Sequence, residues 1–212
     1  MGSSSVGQCC GLVWAFCRIG AHKCCQKLCC RKESPPRPQY TVVCLGLSGA
    51  GKSTLLTLLC GEKTEEVIPT VGFSIKAVPL DDAVLNAKEL GGGANIQPHW
   101  HRYYEGTEGI VFVLDSACSD EALQELSEVL SSTLTHPSLQ GLPLLILASH
   151  QDKPTARNKD QLTEALNLDS LKQNHEMILQ LCSQDDIPSV REGLVRLAQI
   201  LHTTTDHEDN RV

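Results

Sequence analysis

Between residues 39 and 201 the apolar positions fall into two patterns. Residues 40–45, 109–115, 142–148 and 177–182 are short, nearly continuous apolar runs, and they read as buried strands. Residues 54–59, 120–134, 158–166 and 190–201 read as helices, the second with Ser119 or Asp120 as its cap. Residues 74–79 and 83–89 alternate apolar with polar and are joined by Leu80-Asp81-Asp82, which predicts a hairpin. Residues 61–66 are polar and loop-like; Gly91-Gly92-Gly93 breaks the strand before it; residues 95–105 are polar but carry aromatics. Strands alternating with helices predict an α/β fold, a six-stranded, mainly parallel sheet with helices on both faces.

The sharpest local signal lies between the first strand and the first helix. Gly46-Leu47-Ser48-Gly49-Ala50-Gly51-Lys52-Ser53 reads G-x-x-x-x-G-K-S, the phosphate-binding loop pattern. Its glycines permit a tight turn whose amides point inward at an anion. The helix that starts there, with Thr54 in its first turn, adds its positive end. Lys52 supplies a point charge for the terminal phosphates, and the Ser53 hydroxyl suits Mg2+. A glycine-rich turn with a chance Lys-Ser is the competing reading; the strand before and the helix after weigh against it. The pattern implies a nucleoside di- or triphosphate bound at the carboxyl edge of the first strand, where such sheets bind ligands.

A chain of 212 residues can bury one good core. Its net charge of −7 makes it a poor general nucleic-acid binder, and no nucleic-acid partner is expected. Charge and cysteine are both uneven. Residues 1–34 carry Arg18, Lys23, Lys27, Arg31 and Lys32 against Glu33 alone. They also hold Cys9, Cys10, Cys17, Cys24, Cys25, Cys29 and Cys30, seven of the 11 cysteines. Leu12, Val13, Trp14, Phe16 and Ile19 can form one apolar helix face among them. Thiols beside an interfacial apolar segment are candidate S-acylation sites, and basic residues favour anionic lipid. A zinc site from Cys24, Cys25, Cys29 and Cys30 with His22, and a merely disordered tail, stay open as alternatives. Val6 stands where N-myristoylation wants Ser or Thr, against acylation at Gly2.

The remaining cysteines, Cys44, Cys60, Cys118 and Cys182, lie in apolar segments and read as reduced core thiols of a cytosolic chain. No run is long and apolar enough to cross a bilayer, and neither a secretory signal nor a prenylation motif is expected. The expected organisation is a Cys-rich, basic, membrane-associating segment with a proline linker at 1–38, a nucleotide-binding domain at 39–202, and a disordered tail at 203–212. The expected location is the cytoplasmic face of membranes, plasma membrane or Golgi and endosomes, with a cytosolic pool.

Four later stretches then fall into place: Pro69-Thr70-Val71-Gly72-Phe73, Glu89-Leu90-Gly91-Gly92, Ser149-His150-Gln151-Asp152 and Cys182-Ser183. Their order and spacing resemble the small GTPases, the Arf branch in particular, whose segments read P-T-x-G-F, D-x-G-G-Q, N-K-Q-D and C-A-T. The resemblance runs from about residue 40 to 201 and implies an Arf-like P-loop fold that binds GTP or GDP with Mg2+. It places nucleotide contacts at Gly46, Ser48, Gly49, Ala50, Gly51, Lys52, Ser53, Thr54, Thr70, Gly92, Ser149, His150, Asp152, Cys182 and Ser183. It places the metal at Ser53 and Thr70, with Glu89 reaching it through water. Asp152 would accept two hydrogen bonds from the ring N–H and amino group of guanine, a donor pair adenine lacks. A capping Asp before Lys153-Pro154 is the bland reading of the same residue.

The departures bear on mechanism. Hydrolysis in that family uses a Gln after the two glycines to orient water; here the position is Gly93, so hydrolysis is expected to be slow or negligible, with Asn95 nearby in sequence. No catalytic residue is assigned, and whether the chain is an enzyme stays open. Glu89 replaces Asp, and Ser149 and His150 replace Asn and Lys, which is expected to weaken nucleotide affinity. Lys88 replaces the tryptophan of the aromatic trio that Arf proteins use for effectors, while Phe73 and Tyr103 match its other members. Trp100, Arg102, Tyr103 and Tyr104 form a basic-aromatic candidate partner surface in the switch II region, with core packing as the alternative for Trp100 and Tyr103. The resemblance implies the cytoplasmic domains of cyclin-M magnesium transport proteins as that partner. A degenerate pseudo-GTPase acting as a nucleotide-independent interaction module is the competing function.

Overall fold

In the computed structural model, which describes residues 37–64, 68 and 70–209, the predicted α/β architecture is present. Strand β1 (Gln39–Leu45) leads through the phosphate loop into helix α1 (Lys52–Leu59). The hairpin β2 (Phe73–Pro79) and β3 (Val84–Leu90) follows, then a 3-10 turn (Gln97–Tyr103) and β4 (Gly109–Asp115). Helix α2 (Asp120–Leu134), β5 (Leu144–Ser149), α3 (Lys159–Ala165), α4 (Leu168–Leu171), β6 (Met177–Leu181) and α5 (Ile187–Asp209) complete the order. The strands form one sheet in the order β2-β3-β1-β4-β5-β6, parallel except for β2.

Successive residues of a strand face opposite sides, so a sheet covered on both faces needs apolar residues at every position. Val42 and Cys44 pack with Leu55, Leu56 and Leu59 of α1 and with Val190, Leu194 and Leu197 of α5. Their neighbours Val43 and Leu45 pack on the other side, with Leu123, Leu126 and Leu130 of α2 and Leu162 of α3. Because β1 has β3 on one side and β4 on the other, the loop at its carboxyl end opens between two diverging connections, the usual ligand crevice of such sheets.

Local chemistry explains most element ends. Ser119 caps α2 by accepting the Ala122 amide, and Asn158 and Gln161 form a reciprocal capping box on α3. The hairpin closes where the Leu80 amide meets the Ala83 carbonyl at 2.9 Å. β5 starts at Leu144, later than the expected 142, after Pro143, which has no amide to give a ladder. The last helix departs most from expectation. It starts at Ile187 and continues to Asp209, past residue 203, where a disordered tail was expected. The Thr203 and Thr204 hydroxyls turn back onto the Ile200 carbonyl, so a polar run without apolar periodicity still continues the helix. The one-turn α4 has too little pattern to be seen in the sequence.

Candidate functional site

The phosphate loop and its neighbours enclose a cleft of about 280 Å3. Ser48, Gly49, Gly51, Lys52, Ser53 and Thr54 line it from the loop and α1; Thr70, Glu89, Gly92 and His150 line it from the other elements. The side chains expected to hold phosphate and metal are therefore gathered at one place. Gly46 and Ala50 support the loop from behind. A Cβ on Gly46 would lie 2.1 Å from the Val113 carbonyl oxygen, so only glycine lets the loop leave β1 against β4. Lys52 is buried, and its Nζ donates to the Gly46 and Leu47 carbonyls at 2.8 and 2.9 Å. These bonds curl the loop around the ammonium. Burial pushes Lys52 below the ordinary lysine range, while Cys44 and Glu89 act in the opposite direction. A phosphate at this point relieves an ammonium that the protein has taken out of water. No side chain caps the start of α1, which leaves its first amides for an anion.

Ser53, Thr70 and Glu89 meet at the same end. The Ser53 and Thr70 hydroxyls are 3.1 Å apart, Thr70 donates to Glu89 Oε1 at 3.1 Å, and Ser53 donates to that same oxygen. Two hydroxyls and a carboxylate are hard oxygen donors, and the set fits Mg2+. Among the described residues no cluster of three His, Cys, Asp or Glu makes a rival metal centre.

Gly92 and Gly93 differ in what they permit. A Cβ on Gly92 would stand 2.4 Å from the Leu47 carbonyl carbon and 2.5 Å from the Ser48 nitrogen, inside the loop backbone. At Gly93 the nearest atom is Asn95 Oδ1 at 2.8 Å, a side-chain tip, and the next is Ser48 Oγ at 4.0 Å. Gln97, which the sequence reading passed over, donates to the Gly92 carbonyl at 3.0 Å and steadies this turn.

The base side is built on buried hydrogen bonds. Ser149 Oγ lies 2.8 Å from both the Ala50 and Leu114 carbonyls and 2.9 Å from His150 Nδ1. A hydroxyl has one proton to give, so it serves one carbonyl at a time and accepts from an Nδ1-protonated imidazole. Ser149 thus fastens the phosphate loop to β5. His150 takes a left-handed backbone (φ 60°) and its ring lies 3.8 Å from where a Gly51 Cβ would be. Asp115 answers it from 3.4 Å and holds Lys153 at 3.2 Å. Asp152 is exposed in the turn after β5, outside the residues that line the cleft. The Gln151 amide donates to the Cys182 carbonyl at 3.1 Å, which draws the turn of Asp152 against the loop of Cys182 and Ser183. The Cys182 thiol is pushed up to about 12, by burial and then by Asp186, so it stays protonated. Ser116, Gln151 and Arg157 hold this region together, and Ser116 and Arg157 lie in no motif: Gln151 donates to Ser116 Oγ at 2.8 Å, and Arg157 to the Cys118 carbonyl at 2.6 Å.

The expected partner surface is corrected in two places. Trp100 is 2% exposed and donates its Nε1 to the Gly91 carbonyl at 2.8 Å, so it is a strut under the glycine turn. Tyr104 is also buried, edge-on to His136 with ring centroids 5.0 Å apart. Neither can meet a partner, because their rings fill the core on the α2 side of the sheet. Arg102 is exposed and Tyr103 half-buried, its ring 4.9 Å from that of Phe73. The apolar surface lies instead on the loop before β2 and on β2 itself, where Val71 is 88% exposed and Ile75 59%. Lys88, in the tryptophan position, folds its stem toward the Glu105 carbonyl at 2.9 Å. The seven acylation candidates, Cys9 to Cys30, and the zinc alternative lie outside the described residues. Of the other four cysteines, Cys44 and Cys182 are buried, while Cys60 and Cys118 are only partly so.

A phosphate loop on a sheet of this order is the signature of a P-loop nucleotide-binding α/β protein. The model of the ADP-ribosylation factor family matches residues 27–201, and the chain belongs to that family. It is 48% identical over 189 residues to mouse ADP-ribosylation factor-like protein 15, covering 89% of this chain and 92% of that one. It is 34% identical over 170 residues to ADP-ribosylation factor-like protein 3 of Caenorhabditis elegans, covering 80% of this chain and 91% of that one. Among solved structures, the Arl6 (BBS3) small GTPase of Trypanosoma brucei, bound to the nucleotide analogue GppNp, matches with a TM-score of 0.70 and 23% identity. That match covers 78% of this chain and 98% of the other and supports the fold.

Proposed function

We propose that this protein is a membrane-associated, guanine-nucleotide-binding regulator that binds GTP with Mg2+, hydrolyses it slowly or negligibly, and acts by controlling a protein partner. One observation carries the reading: the phosphate cradle is complete while Gly93 brings no side chain to the water-orienting position. Lys52 and the loop amides hold the phosphates; Ser53 and Thr70 hold the metal; Thr70 and Gly92 sense the γ-phosphate; Asp152 selects guanine. The cysteines of residues 1–34 supply acyl anchors, several of which are needed because one chain holds weakly. The partner that the family resemblance implies is a cyclin-M magnesium transporter domain, met by Arg102, Tyr103 and the apolar residues of β2. Binding of fluorescent GTP, GDP and ATP to the purified chain, followed by single-turnover hydrolysis, tests this. Micromolar guanine selectivity with turnover far below that of active small GTPases is the expected result; absence of binding, or fast turnover, refutes it. Replacing the seven cysteines with serine is expected to move the protein to the soluble fraction.

The pseudo-GTPase reading also has an observation behind it. Ser149 Oγ already has three protein neighbours, and the exposed apolar face of β2 presents itself without any nucleotide. Partner capture that is unchanged by GTP, GDP or chelation would favour it.

A further inference from the structure

The oxygens of Ser53, Thr70 and Glu89 have a spacing with consequences of its own. Mg2+ and Mn2+ hold oxygens at about 2.1 Å in an octahedron, so adjacent ligands lie about 3.0 Å apart; Ca2+ would spread them to about 3.3–3.7 Å. The Ser53–Thr70 and Thr70–Glu89 separations are both 3.1 Å. Ser53 closes the triangle by its bond to Glu89. Two of the three separations therefore match an edge of the smaller ion's shell, while Ser53 and Glu89 stand closer together than such an edge and must part to admit the ion.

Glu89 reaches this face because of its length. Its backbone is fixed by the sheet, opposite Cys44 on one side and Ser74 on the other, and its side chain is 1% exposed. An aspartate held on the same backbone is shorter by one C–C bond, roughly 1.5 Å. Its oxygen would stop short of the triangle and leave room for a water. Thr70 is held close by the backbone as well. The Gly91 amide donates to the Gly72 carbonyl at 2.9 Å, and a Cβ on Gly91 would lie 2.5 Å from the Thr70 carbonyl oxygen. Residues 70–72 thus lie against the end of β3 through contacts made by protein alone.

We propose that Glu89 is a direct ligand of the cation, completing with Ser53 and Thr70 a three-oxygen face that holds Mg2+ or Mn2+ without a γ-phosphate and keeps the Thr70 loop engaged in the diphosphate state. This rests on the nucleotide reading for the phosphate, but the cation site can be tested without nucleotide.

The experiment is Mn2+ titration of the full chain by electron paramagnetic resonance, nucleotide-free and with GDP, with water ligands counted in 17O-labelled water. Three protein oxygens and one β-phosphate oxygen leave about two waters on an octahedral ion; a water-bridged Glu89 leaves about three. Wild type with GDP is expected to show two, and nucleotide-free wild type is expected to bind Mn2+. E89D is expected to gain one water and lose at least tenfold in affinity, whereas E89Q, equal in length, loses affinity without gaining a water. Three waters on wild type overturn the proposal, as does no Mn2+ binding by the nucleotide-free chain. The wild-type count decides even if both variants fail to fold. Mn2+ binding with no GDP binding would refute the nucleotide reading alone; GDP binding with three waters would refute this one alone.

Discussion

Restoring a glutamine at position 93 tests whether the missing side chain limits hydrolysis. The site can take it. A Cβ there is 2.8 Å from Asn95 Oδ1, and Asn95 is exposed, so its tip must retreat by roughly 0.6 Å to ordinary contact at 3.4 Å. Ser48 Oγ at 4.0 Å is clear, and the Gly93 backbone is outside the left-handed region, so a side chain adds no φ strain. The effect of Gly93→Gln on folding should therefore stay within about 1 kcal/mol, in part offset by a stiffer unfolded chain. Its effect on rate is larger. Orienting one water for in-line attack lowers the barrier by about 1.4–2.8 kcal/mol, or roughly 10- to 100-fold. The assay is single-turnover release of phosphate from pre-loaded GTP with excess Mg2+, at matched nucleotide occupancy. Asn95→Ala in the same background checks that the gain is not limited by crowding. If Gly93→Gln binds GTP as wild type does and hydrolyses it no faster, the reasoning is wrong, and the block lies with Glu89 or with the Thr70 loop.

The neighbouring glycine should behave in the opposite way. Gly92→Ala places a methyl 2.4–2.5 Å from the loop backbone and should lose nucleotide binding and more than about 2 kcal/mol of stability, read by urea melts and fluorescent GDP. Ser149→Ala removes the hydroxyl that joins Ala50 to β5 and should lower stability by about 1–2 kcal/mol while speeding GDP release several-fold in a chase experiment. Above about pH 9 stability should fall. Burial raises Cys44, Cys182 and Tyr104 to about 12, so the folded state keeps protons that the unfolded chain has lost, at up to ~1.4 kcal/mol per pH unit per group. Lys52 has the reverse sign, because its lowered value makes the nucleotide-free fold gain stability as pH rises toward the ordinary lysine value. GDP should therefore bind less tightly as Lys52 deprotonates, and thermal melts with and without GDP across pH 8–11 should converge. A loss of alkaline stability equal in Lys52→Met and wild type would leave the thiols and Tyr104 as its source.

Strands and the phosphate loop were legible because their signals are local. A sheet covered on both faces makes every strand position apolar, and the amides of a phosphate loop require glycines at fixed places. What escaped the sequence depends on which way a ring points. Trp100 and Tyr104 sit in a run of polar residues, His99, His101, Arg102 and Glu105, and nothing in that composition distinguishes a strut from a contact. The structure separates them by burial: Trp100 and Tyr104 point into the core, Tyr103 is half-buried and Arg102 is exposed. The exposed face of β2 was missed for a related reason. Alternation in Phe73, Ile75 and Ala77 predicts one apolar face and does not say whether anything covers it. In the sheet β2 is the edge strand, and among the described residues no helix is packed over that face. The last helix is read only to residue 201 because β-branched polar residues end a pattern without ending a helix already anchored by Leu194, Leu197 and Leu201.

The changed residues of the site share a physical property. Positions whose replacement would put atoms into backbone, Gly46 and Gly92, keep the family's residue. Positions 89, 93, 149 and 150 have side chains or space that can vary without disturbing the loop, and there the sequence has changed. Glu89 accepts from Ser53 and Thr70; Ser149 ties Ala50 to β5; Gly93 leaves a gap beside Asn95 Oδ1. On the proposed reading, each change leaves the phosphate loop intact and alters a group assigned to the metal, the terminal phosphate or the base. A site relaxing toward a mere scaffold has no reason to retain Lys52, buried and bonded to two loop carbonyls, since an ammonium in that place opposes folding unless an anion joins it. On this ground we propose that binding is kept where cleavage is lost, and the retained lysine favours a bound nucleotide over an empty fold.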